Sequence, residues 1–87
     1  MQNQTKQVSP EYERRLERAL VSQTLRRDRT GDWLFSELAA ELDDAEPLAI
    51  HDALANLAQT GVIEITGEDV RASPASRRLD ALDMIAL

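Results

Sequence analysis

The side chains that could do chemistry are few and scattered. One histidine, His51, stands alone, and the chain has no cysteine. A single imidazole has no nucleophile to activate and no ligand set to complete, because acid–base, covalent and metal chemistry each need a second group at a defined spacing. The densest carboxylate run, Asp43-Asp44-Ala45-Glu46, lacks the alternating oxygen ligands and central glycine of a calcium loop. No glycine-rich phosphate loop is present. Parts for an enzyme are missing, no cofactor or metal site is legible, and the chain reads as one that works by binding.

The remaining chemistry is charge, and its distribution says more than the net of -6. Residues 1–30 hold seven basic and four acidic side chains, residues 31–70 hold ten acidic and no basic ones, and residues 71–87 hold three arginines and two aspartates. Arg14, Arg15 and Arg18 interleave with Glu11, Glu13 and Glu17 at three- and four-residue spacings, which describes a solvated and largely self-paired helix face. Arg26, Arg27 and Arg29 have only Asp28 nearby and could contact phosphate or an acidic partner surface. The acidic block has two readings, a functional surface or an adaptation to high internal salt, where acidic surfaces keep proteins soluble.

The elements that must position these residues fit one small domain, since 87 residues leave room for a modest core only. No apolar run approaches the roughly 20 residues of a membrane span. Met1 to Ser9 is polar without a signal-peptide layout, so residues 1–8 are expected to form a disordered tail and the protein to be cytoplasmic.

Ser9 and Pro10 cap a first helix over 9–29, stopped by Gly31. Trp33-Leu34-Phe35 reads as a short strand, and Ser36 as the cap of a second helix over 36–43. After the polar turn, Pro47 opens a third helix whose Ile50, Ala53, Leu54, Leu57 and Ala58 form one apolar stripe ending at Gly61. Residues 62–66 and 70–72 read as a hairpin around Gly67-Glu68-Asp69, and Ser73-Pro74 caps a last helix over 74–87. The fold class is mainly α with a small β-hairpin.

From Ser36-Glu37-Leu38-Ala39-Ala40-Glu41-Leu42 through Ile50, Ala53-Leu54, Leu57 and Gly61-Val62-Ile63-Glu64, the chain resembles the winged helix-turn-helix superfamily of bacterial and archaeal transcriptional regulators. The resemblance covers roughly residues 12–80. It implies a winged helix-turn-helix domain over 9–73 with an extra C-terminal helix, a DNA-reading third helix over 47–60 and a wing over 62–72. On that surface Asn56 and Gln59 could pair with adenine, with His51 at the edge and Arg71 on the wing; Arg26, Arg27 and Arg29, on a first helix that in this superfamily usually lies behind the reading surface, could add phosphate contacts. The departure is charge. No Lys or Arg lies between Gly31 and Val70, while Glu46, Asp52, Glu68 and Asp69 would repel the phosphate backbone.

Two functions are therefore expected: a DNA-binding, transcription-regulator-like protein or, alternatively, an acidic winged-helix protein–protein interaction module that has lost DNA binding. The apolar end, Leu82 and Met84-Ile85-Ala86-Leu87, suggests a homodimer through Leu79, Leu82, Ile85 and Ala86, as in many regulators of this superfamily. The other possibility is that this end folds back on the first helix of its own chain.

Overall fold

Residues 47–59 show how the sequence builds its elements. Pro47 occupies the first helical turn, where no backbone donor is needed, and Ile50 N–H reaches back to Glu46 O at 3.1 Å. The stripe Ile50, Ala53, Leu54 and Leu57 is buried. The helix ends in a Schellman motif, with Val62 N–H donating to Leu57 O at 2.9 Å and Gly61 N–H to Ala58 O at 3.2 Å. Gly61 takes the left-handed conformation this requires, at φ 85°.

The computed structural model describes residues 10–26 and 31–85. Their order is α1 (Pro10–Thr24), β1 (Trp33–Leu34), α2 (Phe35–Glu41), α3 (Pro47–Gln59), β2 (Ile63–Thr66), β3 (Asp69–Ala72) and α4 (Pro74–Ala81). The described chain is mostly helical, with one small antiparallel sheet ordered β1-β3-β2. Trp33 pairs with Val70 on one side of β3, and Glu64 with Arg71 on the other. The hairpin closes through Thr66 and Asp69, leaving Gly67 (φ 63°) and Glu68 as a two-residue loop.

Five side chains lie almost wholly inside, one from each of five elements: Leu20, Leu38, Ile50, Ile63 and Val70. Trp33 adds the β1 contribution, and α1 lies against α3. The sheet turns Trp33, Ile63, Val70 and Ala72 toward this centre, so the alternate positions Glu64, Thr66, Asp69 and Arg71 take the other face.

Helix boundaries differ from the sequence reading at three elements, α1, α2 (which also ends at Glu41 rather than residue 43) and α4. Helix α1 ends at Thr24, and Arg26 lies beyond it. Ser36 is not a cap but sits inside the first turn of α2; the cap position is Leu34. Pairing of β1 with β3 holds Leu34 extended, so the helix starts directly after the strand, and Glu37 Oε1 accepts Leu34 N–H at 2.8 Å. Leucine has no side-chain acceptor, so only the carboxylate half of a capping box forms.

The third difference is α4, which stops at Ala81 rather than continuing to the terminus. Ser73 starts it as expected, accepting Ser76 N–H at 3.1 Å, and Ser76 Oγ donates to Val62 O at 2.8 Å. The end is a second Schellman motif: Met84 N–H donates to Leu79 O and Asp83 N–H to Asp80 O, each at 2.9 Å. Asp83 sits at φ 57°. The expected apolar seam is thereby cut, with Leu79 42% and Leu82 50% exposed while Ile85 packs against the protein's own core. The expected tail over 1–8, the Ser9 cap and residues Arg27, Arg29 and Ala86 lie outside the described residues.

Candidate interaction surface

Helix α3 buries one stripe and leaves the rest of its circumference outside. Leu48, His51, Asp52, Ala55, Asn56 and Gln59 are all exposed. Helical geometry divides them between two flanks. Asp52 and Asn56 turn toward α1, where with Ala49 they line a crevice with Tyr12, Glu13, Leu16 and Glu17. His51 and Ala55 turn the other way, toward α2 and the hairpin.

That second flank is a cleft of about 350 Å³. Its walls are Phe35 and Ser36 at the start of α2, His51, Leu54 and Ala55 on α3, and Ile65, Gly67, Glu68 and Val70 on the hairpin. Phe35 N–H donates to Glu68 O at 3.2 Å, which fixes the hairpin loop against the start of α2. The Phe35 and His51 rings meet edge to face with centroids 5.9 Å apart. The cleft is apolar inside, and every wall residue comes from the segment without Lys or Arg. Its one carboxylate is Glu68, with Asp69 next in the chain.

The residues picked out by sequence do not converge. Asn56 Nδ2 donates to Glu17 Oε2 at 3.5 Å, so the amide expected to read a base faces α1 instead. Gln59 remains on the outer face of α3. Arg71 Nε donates to Glu64 Oε1 at 3.0 Å, and its Nη1 lies 3.3 Å from Asp32 Oδ2. The hydrogen bond it donates to Glu64, then the charges of Asp32 and Glu64, raise the Arg71 pKa, so it stays a cation matched by two anions. Arg26 leans on its own protein too: its guanidinium lies 3.7 Å from Glu41, donates to Gln23 Oε1 at 3.2 Å and sits 5.8 Å from the centre of the Trp33 ring.

No protein-family model, curated protein or solved structure matches the chain. The surface must be read from its own residues. Among those described, no group of three or more His, Cys, Asp or Glu is placed to hold a metal ion, and no helix is long and apolar enough to cross a membrane.

Sequence reasoning passed over Phe35 and Ile65 as parts of a surface, because an aromatic or β-branched residue in a short apolar run reads as core, and it took Glu68 only as a charge that repels phosphate. The available signal was alternation: Ile65 follows Ile63 by two, on the same sheet face but nearer the hairpin end, where α3 no longer covers it.

Proposed function

We propose that the chain is a winged helix-turn-helix domain whose α3–hairpin surface binds protein rather than duplex DNA. The fold reading is supported by the order helix, strand, helix, helix, hairpin, with β1 seated on β3. One observation carries the functional reading: Arg71, the arginine expected on the wing, is held between Glu64 and Asp32. Phosphate binding would have to compete with both carboxylates, and residues 31–70 hold ten acidic groups, these two included, and no basic one. An acidic face around an apolar cleft matches the physics of a protein interface, where a desolvated apolar centre is ringed by polar residues.

The other reading, a DNA-binding transcriptional regulator, is favoured by the uncovered outer face of α3, where Gln59 is exposed. Mobility shift with a generic duplex separates the two. The expected result is no complex at about 50 mM salt, where backbone contacts are strong. A complex that weakens steeply as salt is added would reverse the proposal.

A further inference from the structure

The cleft has a complement in chemistry elsewhere on the same chain. On α4 and its C-cap residue, Ala75, Arg78, Leu79 and Leu82 follow the i, i+3, i+4, i+7 spacing of one helix face, and all four are exposed. That face offers two leucines flanked by a cation. The cleft offers Phe35, Leu54, Ala55, Ile65 and Val70, flanked by the Glu68 anion. We propose that the occupant of the cleft is the α4 face of a second copy of this chain, with the leucines seated on Ile65 and Phe35 and Arg78 against Glu68. This rests on the α3–hairpin surface being a protein-binding one and names its partner.

The alternative, α4 packed on α4 across a two-fold axis, has too little surface. Eight residues span about 12 Å, roughly two turns. A stable interface buries on the order of 1,200 Å² or more, which a pair of two-turn helices does not reach alone. With each α4 in the other copy's cleft, a two-fold axis would make the contact twice and cover the cleft and the α4 leucines together.

The test is the solution mass of the full chain by sedimentation velocity at low salt, with circular dichroism to verify that each variant folds. Wild type is expected to be a dimer. Ile65→Ser in the cleft and the pair Leu79→Ser/Leu82→Ser on α4 should each give monomers, although they alter different surfaces. Glu68→Arg and Arg78→Glu should each weaken the dimer about two- to fivefold, the scale of one partly screened ion pair. Combining them should return the constant to near wild type. A monomeric wild type, a dimer indifferent to Ile65→Ser, or a double charge swap as weak as its parents would each overturn the proposal. None of these masses bears on the duplex experiment, so self-docking can fail while the protein-binding reading stands. A salt-sensitive duplex complex would remove that reading whatever the mass.

Discussion

Glu64 and Arg71 face each other directly across the β2–β3 ladder, and the guanidinium Nε donates to the carboxylate at 3.0 Å. Asp32, just before β1, takes the other side of the same guanidinium, so one arginine ties together all three strands of the sheet. The raised pKa of Arg71 has a definite sign in stability. Its contribution is fully present below the ordinary arginine value and is lost only as pH rises through the raised one. Alkaline titration short of that extreme leaves the network intact. Arg71→Gln should lower the melting temperature slightly, and Arg71→Glu should lower it further by placing three carboxylates together. The gap between the variants should narrow as salt shortens the screening length from about 30 Å at 0.01 M to about 3 Å at 1 M. Thermal melts at those two salt levels check this, and a gap that ignores salt would mean that packing, not charge, sets it.

Burial predicts a sharper contrast between leucines. Leu20 and Leu38 are fully enclosed at 0% exposure, whereas Leu48 on the outer side of α3 is 70% exposed. Leu38→Ala or Leu20→Ala should cost about 2–5 kcal/mol, through lost burial and the cavity left behind. That is a large share of the roughly 5–15 kcal/mol that holds a domain folded. Leu48→Ala should stay within about 0.5 kcal/mol. Urea unfolding of the three variants measures the difference directly.

The same contrast explains what could be seen in the sequence. Helix α3 was legible because its apolar stripe, opening proline and closing glycine agree with one another, and the structure places its ends at Pro47 and Gln59. The hairpin was legible from β-branched alternation around Gly67. What was not legible depended on partners distant in the chain. Ser36 has the chemistry of a cap, but β3 pins Leu34 and moves the helix start one residue earlier. Asn56 and Arg71 look free in one dimension, but Asn56 meets Glu17 39 residues away, and Arg71 meets Glu64 across the hairpin and Asp32 39 residues away. The cleft follows the same pattern, since its walls come from three elements that only the fold brings together.

Two helix ends use one motif with different residues at the left-handed position, Gly61 after α3 and Asp83 after α4. No heavy atom lies within 4 Å of a Cβ built on Gly61, so substitution there is opposed by backbone strain alone. Gly61→Ala should cost about 1 kcal/mol. Asp83→Gly should move the other way, gaining up to about 1 kcal/mol, since aspartate tolerates this conformation less well than glycine. Chemical denaturation of the two variants reads the opposite signs. A loss of stability in Asp83→Gly would mean that the aspartate side chain holds the helix end by some further contact.

Charge alone, on the present reading, keeps α3 and the hairpin off duplex DNA, and that can be reversed by substitution. Asp52 and Glu68 are exposed on opposite flanks of α3's outer face. Asp52→Lys/Glu68→Lys replaces two repelling charges with two that can displace condensed counterions. Each phosphate contact so made adds about 0.9 to the steepness with which the logarithm of affinity falls against the logarithm of salt. The double variant should therefore acquire weak, sequence-indifferent binding at about 50 mM salt with a slope of about -2, measured by fluorescence anisotropy on a labelled duplex. Wild type should show none. Should the variant also fail to bind while still folded, the shape of the α3–hairpin surface rather than its acidity would be what excludes the duplex.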